Sequence, residues 1–280
     1  MGAPLRLARV RPLPPASPAE QFFVANDAGD FSSGPGRVWT VVDSPFPGSP
    51  ANAASAARPG WGSGNTVLQE AFAFLAPSVP ANVLGMAHNT GPAGRDLPPQ
   101  AFHKAATSVI GPGEAIELPA GEGQVDPEAE LAIVIGAKAR ALTLADARSA
   151  VLGFTIANDV TSRELQKSDQ LWISAKSQDT FTPAGPWIVT SLADADLAIS
   201  IVHNGTRLNA ASTADLGWKV DEILVYLTSF MTLHPGDLVL TGFPAECTPI
   251  VPGDTVTCCV QGIGELSNPV KPSSRKGFSA

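Results

Sequence analysis

Glu128-Ala129-Glu130-Leu131-Ala132-Ile133-Val134-Ile135-Gly136 is the stretch on which the reading of this chain turns. A continuous apolar run closed by a glycine predicts a strand buried on both faces. Side chains alternate along a strand, so Glu128 and Glu130 share a face with Cα atoms roughly 6.5 Å apart. Two carboxylates leading into a dry strand repel each other and are poorly solvated, unless a cation or basic group lies between them. The plainer alternative is a strand that begins in solvent, with both acids hydrated.

Further along, Phe154 to Ala157 is a second buried-strand candidate, followed by Asn158 and Asp159 and a polar helical stretch from Thr161 to Lys167. Asp159 therefore falls at a strand-to-helix junction, where sites often form. Its plainer role is to cap the helix, as Asn158 could too. Brought beside Glu128 and Glu130, Asp159 would complete an all-oxygen site suited to Mg²⁺ or Mn²⁺ rather than zinc. Arg163 and Gln166, three apart, share a helix face just beyond it. With Lys176 they supply the cations and amide that an anionic oxo-acid requires.

The remaining signals are mostly those of a β-rich α+β chain. Gln21 to Ala25 and Arg37 to Val42 are short β-type runs around a turn-rich link, and Ser44 to Asn65 reads as loop. Thr143-x-x-Asp146 predicts a helix from Leu144 to Leu152 that stops at Gly153. Asn204-Gly205 between Ile199–His203 and Thr206–Leu208 predicts a type I′ hairpin. Thr213 is placed to cap a helix to about Phe230, with apolar residues on one face. Pro235-Gly236-Asp237 and Pro252-Gly253-Asp254 each precede a β-type run. Residues 1–75 read as a small β-type N-terminal lobe, and residues 76–280 as the metal-binding catalytic domain.

Composition narrows the function classes. The chain has 280 residues and a net charge of −8, with no long Lys/Arg run. It is a poor candidate for binding nucleic acid or an anionic membrane. Gly and Pro number 26 each, which favours short elements and many turns. Three cysteines, all after residue 246 and without a CxxC pair, predict buried reduced thiols. The first residues carry no apolar segment of signal-peptide length, and no run approaches the ~18 residues of a membrane span. A cytoplasmic location is expected. No nucleophile elbow, HExxH, Walker loop or GxGxxG motif is present.

At this point several ordered motifs resemble the fumarylacetoacetate hydrolase family. The Glu128–Gly136 segment is similar to its metal-binding strand, and Gly153-Phe154-Thr155-Ile156-Ala157-Asn158-Asp159-Val160-Thr161-Ser162-Arg163 to its second hallmark. Ala175–Thr180, Gly185–Val189, Pro235–Gly242 and Gly262–Val270 follow in family order. The resemblance runs from about Ala76 to Val270. It implies a mixed β-sandwich roll, usually a homodimer, with Mg²⁺ or Mn²⁺ held by Glu128, Glu130 and Asp159. It also implies that Arg163, Gln166, Lys176 and Thr241 line a pocket for a small 2-oxo or β-dicarbonyl acid, whose enolate charge the metal stabilises.

The chain departs from the family pattern upstream of the metal strand. Family members usually carry GxNYxxHxxE there, whose His and Glu activate water. This chain has Gly85-Met86-Ala87-His88-Asn89-Thr90-Gly91-Pro92-Ala93-Gly94, so Gly91 and Gly94 stand at those positions and His88 at the tyrosine. Phe243 replaces the threonine of TGTP. Hydrolysis needs a positioned base, so isomerisation or decarboxylation is expected ahead of C–C hydrolysis or hydration. His88, ahead of His103, is the candidate replacement base, and Lys176 is the other candidate catalytic residue. A metabolite-binding member with weakened catalysis, and an unusual lyase or condensation enzyme, are the other readings. Asp159→Ala is expected to abolish metal binding with little loss of fold.

Overall fold

The computed structural model describes residues 4–13, 20–27, 38–47, 60–90 and 92–276. Gly91 and the links expected over 28–37 and 48–59 lie outside them. In chain order the strands are β1 Leu5–Pro12, β2 Phe22–Asp27, β3 Val38–Val42, β4 Thr66–Leu68, β5 Phe72–Phe74, β6 Val83–Ala87 and β7 Gln100–Lys104. Next come β8 Val109–Ile110, β9 Ile116–Ala120, β10 Val125–Asp126, β11 Ala129–Ile135, β12 Val151–Asn158 and β13 Thr161–Ser162. Helices α1 Arg163–Ser168 and α2 Ile173–Lys176 precede β14 Thr182–Val189, β15 Ala198–His203, β16 Thr206–Arg207 and β17 Ala211–Ser212. Helix α3 Val220–Phe230 and strands β18 Leu238–Leu240, β19 Thr255–Val260 and β20 Gly264–Lys276 finish the chain.

These elements form a β-rich α+β fold. A 12-stranded mixed sheet runs β4-β3-β2-β1-β14-β12-β11-β18-β6-β7, with β5 on β1 and β8 on β14. A six-stranded sheet, β16-β15-β19-β20-β9 with β17 on β15, packs on β11 and β12 through β15 and β19. The strands of the first 75 residues thus continue the large sheet, joined through β1 and β14.

Burial of β11 on both faces follows from this layering. Leu131, Ile133 and Ile135 enter the main core, while Ala132 and Val134 enter a second cluster with Val83, Ala157, Leu238 and Leu240. Each of the larger aliphatic side chains contributes about 1.5–3 kcal/mol by leaving water. Glu128 and Glu130 continue the Ala132–Val134 face beyond that second cluster.

Two helix expectations need correction. Thr143 and Asp146 do form the local turn, Asp146 Oδ1 accepting from the Thr143 N–H at 2.6 Å. It yields only a 3-10 turn over Ala147–Ala150, and Val151 and Leu152 belong to β12. Gly153 is no helix stop: a Cβ there would lie 2.4 Å from the Val189 carbonyl oxygen, so glycine permits the close approach of β14. Similarly, Ser212 rather than Thr213 caps a short 3-10 turn, Thr213–Asp215, and α3 begins only at Val220. Its N3 residue Glu222 accepts from the Lys219 N–H at 3.0 Å, which restarts the helix after Gly217 and Trp218. The hairpin is as expected, with Asn204 at φ 48° and Gly205 at φ 81°.

Candidate active site

The antiparallel register of β11 and β12 assembles the site. Ala129 pairs with Asn158 and Glu130 with Ala157, so the start of β11 meets the end of β12. Asp159, one residue past β12, donates its backbone N–H to the Glu128 carbonyl at 2.8 Å, and Asn158 Oδ1 accepts from the Glu128 N–H at 2.9 Å. Carboxylate oxygens of Glu128, Glu130 and Asp159 consequently lie within 4.8 Å of one another.

The three acids have unequal surroundings. Glu128 accepts from Arg163 Nη2 at 2.7 Å and from Lys176 Nζ at 3.0 Å. Asp159, 1% exposed, accepts from Lys176 and, at 2.5 Å, from Lys104, itself 0% exposed. Burial alone would raise the Asp159 carboxyl, but Lys104 and Lys176 outweigh it and hold the group below the ordinary carboxylate range. Glu130, 2% exposed, accepts only the backbone N–H of Gly242 at 2.6 Å and faces no basic nitrogen within 4.0 Å among the described residues. Burial, then the charges of Asp159 and Glu128, push its carboxyl well above the ordinary range.

That imbalance is the test of whether a divalent cation fits. Glu130 is a buried carboxylate with no cation in contact, beside two more carboxylates whose oxygens lie within 4.8 Å of its own. Hard oxygen donors of this kind suit Mg²⁺ or Mn²⁺. Lys176 stays protonated: burial opposes its charge, yet Asp159 and Glu128 raise it above the ordinary lysine range. It is thus a fixed ammonium, 4.6 Å from the Phe102 ring centroid, and no base at neutral pH.

A cavity of about 320 Å³ opens over the triad. His88, Arg163, Gln166 and Lys176 line it with the three acids, as do Phe102, Trp172 and Phe243. Arg163 is pinned by Asp126 at 2.6 Å and by Gln166 Oε1 at 3.0 Å. Thr241 instead sits behind the cavity: its hydroxyl donates to the Leu131 carbonyl at 2.9 Å, and its own carbonyl accepts from Asn89. What reaches the acids from that segment is the next residue's N–H, at Gly242.

His88 stands at the cavity mouth, its ring 5.3 Å from Trp172, which in turn lies 5.6 Å from Phe102. Both His88 and Trp172 have positive φ, 56° and 58°. Such backbone costs on the order of 1–3 kcal/mol per bulky residue and collects at functional sites. His103, on the opposite face of β7 from Phe102 and Lys104, is exposed and takes no part. Gly94 has no room for a side chain, because a Cβ would fall 2.7 Å from the His88 carbonyl oxygen. Arg95 then fastens this loop to α3 through a two-point ion pair with Glu222 at 2.7 and 2.8 Å.

Lys104 is the functional residue that sequence reasoning missed. Its only signal is its period-two placement with Phe102; nothing local shows that this strand face turns inward onto Asp159.

The fumarylacetoacetate (FAA) hydrolase C-terminal profile matches residues 77–271, and the chain belongs to this family. Protein Rv2993c of Mycobacterium tuberculosis is 47% identical over 175 residues, which is 61% of this chain and 66% of that protein. The mitochondrial oxaloacetate tautomerase of Xenopus laevis is 37% identical over 61% of this chain and 58% of its own length. In structure, the 5-carboxymethyl-2-hydroxymuconate delta-isomerase of Mycobacterium smegmatis superposes with a TM-score of 0.82, at 35% identity over 96% of this chain and 100% of that one.

Proposed function

We propose that this protein is a divalent-metal-dependent isomerase or tautomerase of a small 2-oxo acid. Decarboxylation, which shares the first step, is the nearest alternative. The observation that carries the reading is Glu130, a buried carboxylate without a cation between two further acids. The absence of room for an acidic side chain at Gly94 supports isomerisation over hydrolysis, because no carboxylate is built beside His88 there to make hydroxide. The activities named for the Xenopus and M. smegmatis relatives agree with this choice.

When bound by Glu128, Glu130 and Asp159, the cation supplies Lewis-acid polarisation of the 2-oxo carbonyl, worth several kcal/mol. The protein's own groups do the rest. Arg163 and Lys176 bind and orient the acid's carboxylate, with Gln166 holding the guanidinium in place. The fixed charge of Lys176 also stabilises negative charge as it grows on substrate oxygen. His88 takes a proton from the carbon next to the oxo group and returns it at another atom, so no water is consumed. Phe102, Trp172 and Phe243 form an apolar wall that limits solvent at that carbon.

Assays on oxaloacetate, hydroxymuconate-type dienes and acylpyruvates, with Mn²⁺ and with chelator, test this. Metal-dependent keto–enol or double-bond interconversion, faster than acylpyruvate cleavage, is expected. Metal-independent turnover, or cleavage outpacing isomerisation, defeats the proposal.

A further inference from the structure

Another polar cavity, of about 240 Å³, is lined in part by the β7–β8 connection at Ala106 and shares no lining residue with the catalytic one. Arg9 and Arg11 are two apart on β1, so both leave the strand on the same face, opposite Ala8 and Val10 in the core. Both line the cavity, together with Gln21, Ser78 and Glu114.

Arg9 is already engaged. Its Nη1 donates to the carbonyls of Ala76 at 2.7 Å and Ser78 at 2.9 Å, and its Nε to Gln21 Oε1 at 3.1 Å. Arg11 is not: among the described residues it has no hydrogen-bond or ion-pair partner, and its Nε is buried without one. Ser78, 2% exposed, has a buried hydroxyl that is also unpartnered. Buried donors are normally satisfied, and each one left bare costs roughly 1–3 kcal/mol. Glu114 is the one acid among the described lining residues, and one of its oxygens is taken by the Gly111 N–H. Burial pulls the Arg9 guanidinium down to about 10, against the attraction of Glu114 and helped by the repulsion of Arg11. Two guanidiniums, one half-engaged acid and a free buried hydroxyl leave the cavity short of negative charge and of acceptors.

We infer that Arg11 and Ser78, backed by Arg9, form a binding site for a small oxyanion, either phosphate or a short-chain carboxylate. The guanidinium offers paired N–H groups to two oxygens of the anion, and the Ser78 hydroxyl meets a third or shares one. The cavity volume admits a ligand of a few heavy atoms and excludes a nucleotide.

Calorimetry on the full chain with inorganic phosphate and with succinate, each against chloride at matched ionic strength, tests this. Because Arg163 and Lys176 could also attract anions, the same titrations are run on Arg11→Gln, Ser78→Ala and Arg163→Gln, with circular dichroism confirming the fold of each. The expected result is saturable binding of at least one anion. Arg11→Gln should weaken it at least tenfold and Ser78→Ala several-fold, while Arg163→Gln leaves it unchanged. The two anions distinguish a tetrahedral from a planar guest. Binding lost in Arg163→Gln but kept in Arg11→Gln, equal binding in every variant, or no saturable binding of either anion overturns the inference. None of these results bears on whether the catalytic cavity isomerises oxo-acids.

Discussion

Lys104 Nζ donates to Asp159 Oδ1 at 2.5 Å, with both side chains sealed from water and a second contact from the ammonium to the Val160 carbonyl at 3.3 Å. This contact fixes one Asp159 oxygen and turns the other toward Lys176 and the neighbouring acids.

Replacing Lys104 by methionine keeps the apolar stem and removes the charge, leaving Asp159 without half of its compensation. Breaking a buried pair in this way costs about 3–5 kcal/mol. The loss should be measurable by urea unfolding of metal-free protein and smaller with saturating Mn²⁺, which restores positive charge at Asp159. An identical loss in both conditions would show that the lysine acts through packing alone.

Glu130 and Asp159 should respond in opposite senses when neutralised. Glu130→Gln relieves the burial and the repulsion from Asp159 and Glu128 that the charge of Lys176 only partly offsets, so metal-free protein is expected to unfold at the same temperature or higher. Its Mn²⁺ affinity should nevertheless fall more than about 100-fold, beyond the loss typical of outer ligand-supporting groups. Asp159→Ala strips the buried Lys104 ammonium of its carboxylate, leaving it the Val160 carbonyl, and leaves Lys176 only Glu128, so about 3–5 kcal/mol of stability should go with the metal site. That revises the expectation, from sequence alone, of a fold left nearly intact. Differential scanning calorimetry of the two metal-free variants decides it; a destabilised Glu130→Gln would mean that its charge is already balanced.

His88→Ala should slow turnover by about 10²–10⁴, the usual worth of a positioned acid–base group. Mn²⁺ affinity should not change, since His88 is exposed and is not one of the residues whose ligand atoms cluster together. The pH–rate profile is the sharper measurement: the limb assigned to imidazole disappears in the variant, and its persistence would place the base elsewhere.

Cys247 provides a check on burial near Asp126 and Glu128. Burial, followed by the charges of Asp126 and Glu128, pushes its thiol up to about 11. Its thiolate is therefore scarce at pH 8, and the rate of alkylation by iodoacetamide at Cys247, followed by peptide mass spectrometry, should climb until about pH 11. By linkage, a raised thiol stabilises the fold fully below the unfolded value of about 8.5 and loses that contribution as pH rises through 11. A rate that levels off near pH 9 would show that the thiol is hydrated.

Local sequence was sufficient for the elements whose signals are short-range. The apolar run of β11 and the Asn204-Gly205 turn are decided by neighbouring residues, and so each formed where its pattern lies. The start and stop signals misled at Leu144–Leu152, where the Thr143-x-x-Asp146 pattern lost to strand pairing with β11 and Gly153 proved to be the close contact with β14. Hydrogen bonds between distant strands and a glycine's clearance carry no mark in a local window.

The acidic triad was legible because burying charge is costly enough to demand a reason that the flanking residues reveal, and the order of motifs tied Glu128, Glu130 and Asp159 together. Tertiary structure alone decided that Lys104, 55 residues from Asp159, is its partner, that Thr241 lends support from behind the pocket, and that Glu130 is the acid without a cation. Those are statements about which side chains share a dry volume. The register between β11 and β12 and the inward face of β7 set that volume, and neither is encoded in any single stretch of the chain.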